Sequence, residues 1–565
     1  MNSLNGENNL HDEFKHMKLD GNNKVMNIKY MRNIVSVIVG GLFFLINTSS
    51  AAGVIVKAKE THQTMIGFGA SLAWADDQLT SHPKSNEIYN YIFNDLGLDI
   101  LRLRNTYRGN PSDFADNIAS VVRAMHTLSP TPAKIFLSSW SPPANIKSNN
   151  DVQNGGSLVK QNGKYVYGSF AQYWVDAINA YRANGIIPDY ISIQNEPDFS
   201  GTWESCLFDA NESSSKAGYN HAMDTVYAAL QQLQSPPKFL GPEVLGIGYG
   251  ELQKYMQYFI NYNQFDGIAY HLYHGESDNV NDNHNPDLFI PTLSTIAKTY
   301  QGKQIFQTEY DRGDWFNTAW LMHNCLVYGN VSAYLWWELV WGSGGKPLIE
   351  MQYNTYTISK YYWAFRQYSK FISSDWKRVA ADVDTSILRV SAFTNPDGNK
   401  LTVVVLNVKS QPQSMDFDIQ DFSIDSGTVI RTSETESGYI VSTGYNGKST
   451  LIFPARSITT LSFSGTLITS VDNKSIVPVE YSILQNYPNP FNPSTTIDYS
   501  LAKESFVQLK IYDVLGRELK TLIDEKKSIG KYSVQFDATG INSGIYFYKI
   551  IAGDFIRSNK MIVIK

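Results

Sequence analysis

Two glutamates stand at the ends of short, β-branched runs and could do chemistry together. Glu196 closes the run Tyr190–Pro197, which reads YISIQNEP, and Glu309 closes Gln304–Tyr310, which reads QIFQTEY. In a chain of alternating strands and helices, the interval between these acids corresponds to about three βα units. Two carboxyl groups presented by different strands at one rim are what the hydrolysis of a glycosidic bond requires.

The sequence predicts a different role for each acid. We assign Glu196 as the general acid/base, because Pro197 fixes the backbone behind it and Asn195 offers an amide to a substrate hydroxyl. In this role Glu196 must hold a proton near neutral pH. Glu309 is the predicted nucleophile, which must be ionised and therefore needs hydrogen-bond donors or a cation nearby. Arg102 is the expected cation; a core salt bridge is the alternative for this residue, and both can hold at once.

Two further acids compete for these roles. Glu243 and Glu338 also close predicted strands, and each could be a spectator or a binding group. We rank them lower, because the fifth and eighth strands stand less favourably towards Glu196 or Glu309 for flanking one bond.

Aromatic and polar side chains in and near the predicted strand ends are expected to bind the substrate. Besides Arg102 and Asn195, these residues are Trp74, Trp140, His271, Tyr273, Trp336 and Trp337. Ring faces pack on the apolar faces of sugars, so a tryptophan in a cleft can form the floor of a subsite. A tryptophan in the core is the more frequent case, and His271 with Tyr273 could instead be a buried, satisfied pair. Neither a metal nor a cofactor is expected, because no metal-ligand spacing of Cys and His occurs.

The elements that position these residues alternate between short apolar runs and longer amphipathic stretches. The predicted strands are Met65–Ala70, Ile100–Asn105, Lys134–Trp140, Tyr190–Glu196, Phe239–Glu243, Gly267–Tyr273, Gln304–Glu309 and Ser332–Trp337. The predicted helices include Asp113–Leu128, Phe170–Asn184, Ser215–Gln234 and Phe316–Tyr328. Eight βα units in roughly 270 residues match a (β/α)₈ TIM barrel, whose active sites form at the C-terminal ends of the strands.

The chain becomes β-rich after the predicted barrel. Trp376 to Ser464 shows alternating runs broken by Gly, Asn, Asp and Pro, which predicts an antiparallel β-sandwich completed by an N-terminal strand. The fold class is therefore α/β, with a TIM barrel, an attached β-sandwich side domain and a C-terminal Ig-like all-β domain. The predicted units are residues 1–52 (extension and signal peptide), 53–64 (side-domain strand), 65–372 (barrel), 373–465 (sandwich), 466–480 (linker) and 481–565 (C-terminal domain).

Composition and a targeting signal limit the possible partners and the location of the protein. The net charge of −6 comes without a sustained basic stripe, so nucleic acid is excluded as a partner. Lys29 and Arg32 precede the apolar run Ile34–Ile46 and small residues, which describes a secretory signal peptide. The two cysteines, Cys206 and Cys325, are predicted to be unpaired, partly buried thiols, with a disulfide between them as the alternative.

Seven motifs together resemble glycoside hydrolase family 30, a family of retaining (β/α)₈ glycosidases. They are IGFGAS (Ile66–Ser71), ILRLR (Ile100–Arg104), SSWSPP (Ser138–Pro143), ISIQNEP (Ile191–Pro197), YHLY (Tyr270–Tyr273), QTEY (Gln307–Tyr310) and LWWEL (Leu335–Leu339). The resemblance covers roughly residues 53–463, including the side β-domain. It implies that Glu196 is the acid/base and Glu309 the nucleophile, in agreement with the assignment from the strand ends.

The same resemblance bears on the substrate. WAFRQYSKF (Trp363–Phe371) is similar to the bacterial xylanase branch, which implies an endo-β-1,4-xylanase acting on xylan. Members that require a glucuronate branch place an arginine shortly after the strand-eight tryptophan pair, whereas Glu338–Gly342 reads ELVWG and argues against that requirement. Glucosylceramidase, β-glucosidase and β-1,6-glucanase activities stay open, as does a non-catalytic polysaccharide-binding surface protein.

The end of the chain resembles a different family. LQNYPNPFNPSTTIDYSL (Leu484–Leu501), IYDVLGRE (Ile511–Glu518), SGIYFYKI (Ser543–Ile550) and the terminal MIVIK resemble the C-terminal sorting domain of type IX secretion. A generic immunoglobulin-like module is the alternative. The resemblance implies passage across the outer membrane, followed by attachment to the cell surface or release. We expect a monomer whose partners are a polysaccharide and the secretion machinery.

Overall fold

The computed structural model describes residues 53–110, 116–131, 133–273, 285–384, 386–468 and 480–565. The predicted signal peptide lies outside these residues, as do residues 469–479 of the predicted linker; its first two residues extend the strand Ser457–Leu467 of the side domain. Within the described residues, no helix is long and apolar enough to cross a membrane.

Eight parallel strands close into a barrel, as predicted. Numbered one to eight along the chain, they are Gly67–Leu72, Ile100–Arg104, Lys134–Ser138, Tyr190–Ser192, Lys238–Val244, Gly267–His271, Gln304–Glu309 and Ala333–Trp336. The eighth strand pairs with the first, with Ala333 opposite Gly67. Several strands end earlier than their apolar runs, so that Trp140 and Glu196 follow the ends of strands three and four.

The barrel is filled by apolar side chains at the end opposite to the predicted acids. One buried cluster joins Ile66, Ile100, Phe136, Tyr190, Leu240, Ala269, Phe306, Ala333 and Leu335, which come from the strands around the barrel. Inward-facing residues from alternate strands pack in layers in such barrels, so the interior is a solid core. The polar side chains must therefore gather above this core, at the C-terminal rim.

Helices and short turns connect the strands. The helices of eight or more residues are Asp116–Leu128, Tyr167–Ala183, Tyr219–Leu230, Ile290–Thr299, Trp315–Val327 and Lys360–Ser369, and the shorter α and π helices are Asp76–Ser81, Ser85–Tyr89, Asn90–Asp95 and Glu251–Met256. The 3₁₀ turns are Ala144–Ile146, Gly248–Gly250, Ile260–Tyr262 and Pro286–Phe289, and the loop strands are Lys160–Gln161, Lys164–Tyr165, Val340–Trp341, Ile349–Met351 and Tyr356–Ile358. The side chain of Asp314 caps Trp315–Val327 by accepting from two backbone N–H groups.

The side domain is built on an eight-stranded sheet. In spatial order its strands are Phe417–Gln420, Val54–Thr64, Lys377–Asp382, Leu388–Thr394, Lys400–Asn407, Ser457–Leu467, Phe422–Thr432 and Tyr439–Thr443. A second pair, Gln413–Met415 with Leu451–Phe453, lies apart from this sheet. The N-terminal strand pairs with Lys377–Asp382 and with Phe417–Gln420, so it forms part of the side-domain sheet.

The C-terminal domain is all-β, as predicted. Its strands are Ser482–Ile483, Ser494–Leu501, Ser505–Tyr512, Glu518–Lys527, Gly530–Asp537, Gly544–Ala552 and Phe555–Val563, arranged in sheets of three and four strands. It encloses its own apolar core, which includes Ile497, Leu509, Phe536 and Ile550.

Both cysteines are free and buried. The prediction of unpaired thiols is confirmed, although the two side chains are fully rather than partly buried. Burial raises the pKa of the Cys206 thiol to about 12, so this residue stays neutral.

Candidate active site

Glu309 is the last residue of strand seven, and Glu196 follows the end of strand four. The backbone N–H of Glu196 donates to the carbonyl of Glu243 at 3.0 Å, and Asn195 N–H donates to Ser139 O at 2.7 Å. The segment that carries Glu196 is thus held between the ends of strands three and five. Glu196 has φ 45° and Glu243 φ 57°, a left-handed conformation that costs of order 1–3 kcal/mol outside glycine and clusters at functional sites.

The two predicted catalytic acids meet at the C-terminal end of the barrel. One carboxylate oxygen of Glu196, one of Glu309 and a ring nitrogen of His271 lie within 4.8 Å of one another, and all three residues are buried. The register between strands six and seven shifts between Gln307 and Glu309, an irregularity of the kind that re-aims a side chain. Distant segments of the chain therefore converge on one spot, as the strand-end argument predicts.

Arg102 donates hydrogen bonds to three side chains at the base of the site. Its Nη1 donates to Glu309 Oε2 at 2.6 Å, and its Nη2 donates to Glu243 Oε1 at 2.9 Å and to Asn195 Oδ1 at 2.6 Å. The side chain is fully buried, and its guanidinium carbon lies 4.6 Å from the ring centroid of Trp140. Arg102 is therefore both a core ion pair and the cation next to Glu309, so the two alternatives hold together.

Glu243 is a buried partner of Arg102. It accepts a hydrogen bond from Ser138 Oγ at 2.6 Å in addition to the one from Arg102. Burial acts to raise the pKa of Glu243, but Arg102, His271 and Ser138 outweigh it and lower that pKa to about 2. Glu243 is thus a permanently charged group that holds the arginine.

His271 stands between three carboxylates. Its Nδ1 lies 2.9 Å from Glu196 Oε1, and its Nε2 lies 3.6 Å from Glu243 Oε1 and 3.8 Å from Glu309 Oε2. Burial acts to lower the pKa of His271, but the surrounding carboxylates raise it to about 10. The imidazole is therefore a cation that donates to Glu196 near neutral pH.

The pKa of Glu309 is subject to opposing influences from its surroundings. Burial raises its pKa, and the neighbouring Glu196 adds to this effect, while His271 and Arg102 act to lower it. The Tyr273 hydroxyl donates to Glu309 Oε1 at 3.0 Å, so both carboxylate oxygens accept from a donor. The carboxyl groups of Glu196, Glu243 and Glu309 thus share two cationic neighbours, Arg102 and His271, so the charge of Glu309 depends on the whole cluster.

A cavity of about 710 Å³ opens above the cluster, and both acids line it. Its aromatic lining consists of Trp74, Trp140, Phe199, Trp203, Tyr273, Trp337 and Trp341. The ring centroid of Trp140 lies 6.1 Å from that of Trp74 and 5.9 Å from that of Trp337, which gives a continuous aromatic surface. A cleft with aromatic walls and a few charged groups suits a ligand with apolar faces and many hydroxyls.

The predicted substrate-binding residues divide into three sets. Trp74, Trp140, Tyr273 and Trp337 line the cavity. Arg102, Asn195 and His271 lie beneath it: Arg102 and His271 hydrogen-bond to the acids, and Asn195 accepts from Arg102. Trp336 does neither: its indole nitrogen donates to Lys346 O at 3.0 Å, and its ring packs 5.9 Å from that of Phe365 in the core. Trp336 is the last residue of strand eight and faces away from the cleft, whereas Trp337 follows the end of the strand and reaches the cavity.

Charged side chains line one side of the cavity. The sequence analysis singled out only one of them, Glu338. Asp311 and Arg312 follow strand seven, and Glu338 and Lys346 follow strand eight. Burial raises the pKa of Glu338 to about 9, with the charges of Glu309 and Asp311 adding to the effect, so its carboxyl group is neutral near pH 7. The Lys346 ammonium donates to the carbonyl of Gly313 at 3.1 Å, which ties the two loops together.

A barrel with this paired-acid site defines a glycoside hydrolase, and comparisons with known proteins identify its family. Residues 69–355 match the glycosyl hydrolase family 30 TIM-barrel domain, and residues 377–461 match the beta sandwich domain of the same family. The chain belongs to glycoside hydrolase family 30. Residues 485–565 match the secretion system C-terminal sorting domain, as the terminal motifs predicted.

Individual relatives carry several different names. Glucuronoxylanase XynC of Bacillus subtilis is 25% identical over 394 residues, which are 66% of this chain and 82% of the relative. Putative glucosylceramidase 4 of Caenorhabditis elegans is 25% identical over 454 residues, 66% of this chain and 81% of that protein. The crystal structure of the subfamily 8 xylanase Xyn30A from Clostridium acetobutylicum superposes with a TM-score of 0.57 at 27% identity, covering 73% of this chain and 99% of that one.

Proposed function

We propose that this protein is a secreted, retaining endo-β-1,4-xylanase that acts on xylan, with Glu196 as general acid/base and Glu309 as nucleophile. The observation that carries the proposal is the approach of the two carboxyl groups within 4.8 Å in an aromatic-lined cavity. Retaining enzymes hold their two carboxyl groups about 5–5.5 Å apart, whereas inverting enzymes leave about 6.5–9.5 Å for a water molecule.

The first chemical step breaks the bond between the anomeric carbon and the leaving oxygen. Glu309 forms a bond to the anomeric carbon, while the leaving oxygen takes the proton of Glu196. His271 donates to Glu196 Oε1 at 2.9 Å, which leaves the other carboxyl oxygen to face the leaving group. In the second step Glu196 removes a proton from water, the water oxygen bonds to the anomeric carbon, and Glu309 departs with its original charge.

The surrounding residues favour the ionised state of Glu309 and provide contacts for the sugar. Arg102 and Tyr273 each donate to one oxygen of Glu309, which favours the carboxylate that attacks and later leaves. Because Asn195 Oδ1 accepts from Arg102, its amide nitrogen is the group that we assign to a sugar hydroxyl. We assign Trp74, Trp140 and Trp337 to stacking on the sugar rings.

Xylan is proposed as the substrate on two grounds. The motif Trp363–Phe371 is similar to the xylanase branch, and two of the proteins similar to this chain are named as xylanases. The stretch Glu338–Gly342 contains no arginine at the place where members that require a glucuronate branch carry one. We therefore propose that unbranched xylan is cleaved and that no glucuronate is required.

A specific similarity favours β-1,6-glucan as the second candidate substrate. An endo-1,6-beta-D-glucanase of Neurospora crassa is 43% identical over 81 residues, which are 14% of this chain and 16% of that enzyme. The deciding experiment is a product profile on linear xylan, glucuronoxylan, β-1,6-glucan and an aryl β-glucoside. We expect xylo-oligosaccharides from linear xylan at a rate similar to that on glucuronoxylan; cleavage of β-1,6-glucan alone would replace the proposal by its rival.

We also propose where the protein acts. The sorting domain fits passage through the outer membrane, followed by release or attachment at the cell surface, and the protein is proposed to work as a monomer. An extracellular site matches a polymeric substrate that cannot enter the cell.

A further inference from the structure

A second cavity, of about 240 Å³, adjoins the cleft above the acids. Phe199 and Leu245 line both cavities and form a boundary that the two cavities share. The Asp198 carboxyl group accepts from Leu245 N–H at 3.0 and 3.3 Å and thereby joins the loops after strands four and five.

The second cavity lies on the Glu196 side of the reaction centre. Phe199 N–H donates to the carbonyl of Glu196 at 3.0 Å, so the shared wall begins on the same turn as the proposed acid. A general acid of a glycosidase stands beside the oxygen that it protonates, which belongs to the leaving sugar. A chain extending from the reaction centre on the leaving side therefore runs towards this cavity.

Two exposed aromatic rings lie along the path from the main cavity to the second cavity. Trp203 lines the main cavity with 46% of its surface exposed, and its ring centroid lies 6.1 Å from that of Phe199. Beyond Phe199, Tyr249 lines the second cavity, is 53% exposed and has φ 56°, a left-handed conformation unusual for a bulky residue. Exposed ring faces beside a cleft are the surfaces on which sugar rings stack.

The polar lining of the second cavity suits an uncharged ligand. Lys216 pairs with Asp209 at 3.2 Å, and Lys254 pairs with Glu251 at 3.3 Å, so two of the acids are each matched by a lysine. All four side chains are partly exposed and can exchange these contacts for hydrogen bonds to hydroxyl groups. Neither a strongly anionic nor a strongly cationic ligand is favoured.

We propose that the second cavity is a distal subsite for the leaving-group side of a β-linked oligosaccharide, with Tyr249 as its stacking platform. The inference rests on the proposed function, since it takes Glu196 as the acid that faces the leaving group. It explains how a chain is held on both sides of the bond that is cut, as cleavage inside a polysaccharide requires.

The test compares two tyrosine variants of the full chain. Tyr249→Asn removes the ring and places at this position a residue that adopts a positive φ more readily. Tyr258→Ala is the matched control, because Tyr258 is also an exposed tyrosine, at 45%, and lines neither cavity. The substrates are reducing-end-labelled oligosaccharides of three to six sugars, prepared from the polysaccharide that the wild-type protein cleaves, and an aryl β-glycoside of the same sugar.

Tyr249→Asn should lower kcat/KM on the longest oligosaccharides by about three- to tenfold, the loss expected for one aromatic contact, and should shift cleavage towards the labelled end. The aryl glycoside should be hydrolysed at the wild-type rate, because its leaving group is too short to reach Tyr249. Tyr258→Ala should match the wild-type protein on every substrate.

An unchanged kcat/KM and cleavage pattern for Tyr249→Asn would overturn the subsite, whichever polysaccharide is cleaved. An equal loss on the aryl glycoside would also overturn it, because the effect would then arise at the reaction centre. A wild-type protein that cleaves another β-glycan in place of xylan would contradict the proposed substrate and leave this comparison intact. A wild-type protein that cleaves no β-glycan would contradict both proposals.

Discussion

Arg102 Nη1 donates to Glu309 Oε2 at 2.6 Å, and both side chains are buried. The guanidinium is held in turn by Glu243, so the cation that faces the proposed nucleophile cannot turn away. A charge-assisted bond of this length favours the ionised carboxylate. Burial works against ionisation, and the balance between the two decides how Glu309 acts.

Replacing the proposed nucleophile should abolish turnover. We expect Glu309→Ala to lower kcat on xylan by on the order of 10⁵-fold, as for other covalent nucleophiles, because no bond to the anomeric carbon can form. Binding of a xylo-oligosaccharide, measured by calorimetry, should persist, since the aromatic walls are unchanged.

Glu196→Ala is the matched variant for that experiment. Its kcat/KM should fall about 10²–10⁴-fold on xylan but far less on an aryl glycoside with an acidic leaving group, because kcat/KM reports the first step and such a group leaves without a proton. If Glu309→Ala kept substantial activity, or if the two variants behaved alike on the activated substrate, the assignment of roles would fail.

The ion pair beneath the acids should contribute strongly to stability. We expect Glu243→Gln to lower the free energy of unfolding by about 3 kcal/mol, because it leaves a buried arginine one negative charge short. The control is Asp382→Asn, which breaks a pair with Lys57 of the same 2.9 Å length at the surface. Denaturant titration should show a loss of less than about 1 kcal/mol for this control; equal losses in the two variants would refute the prediction.

Glu338→Gln should change how stability depends on pH. The pKa of Glu338 is about 9 in the folded protein and ordinarily 4.5, so between these values the folded state holds a proton that the unfolded state releases. The free energy of unfolding therefore falls as pH rises through this window. Glutamine does not titrate, so the variant should gain stability relative to the wild-type protein from pH 5 to pH 8.

Thermal denaturation midpoints at both pH values measure this difference. The charged neighbours Glu309, Asp311, Arg312 and Lys346 are present in both proteins, so their own titration largely cancels. Glu350→Gln, which removes a glutamate outside the cavity lining, is the control for the loss of a carboxyl group elsewhere in the protein. A midpoint difference for Glu338→Gln that is the same at pH 5 and pH 8 would contradict a neutral carboxyl group in the cleft.

The barrel could be predicted because each strand corresponds to a local pattern in the sequence. A β-branched run that ends in a polar residue marks both a strand and its C-terminal end, which is how Glu196, Glu309 and Arg102 were found. The convergence of His271 with both acids could not be derived from spacing, since it depends on the closure of the barrel. The distinction between Trp336 and Trp337 needed the exact register, because one residue decides which side of a strand faces the cleft.

The residues missed were those of the loops. Phe199, Trp203 and Trp341 line the cavity, although they stand in segments with no hydrophobic period to place them. The role of Glu243 was left open for a similar reason: its contact with Arg102 joins strands far apart in the chain. Loop conformation and long-range ion pairs are set by tertiary packing, which a local sequence pattern does not reveal.

The C-terminal domain should direct secretion and should not contribute to catalysis. It has a core of its own, formed by residues such as Ile497 and Phe536. Deleting Tyr481–Lys565 should therefore leave the activity of the purified protein intact, while stopping its appearance outside the cells of the native host. Equal secretion of the truncated and the full-length chain would show that this domain is not required for export.

Proton NMR of the first products from xylan tests the central claim most directly. If Glu309 forms a covalent bond and Glu196 then activates water, two inversions at the anomeric carbon leave its configuration unchanged. The β-anomer should therefore appear first, with the α-anomer growing only as mutarotation proceeds. Prompt appearance of the α-anomer would contradict the pairing of Glu196 and Glu309 as acid/base and nucleophile.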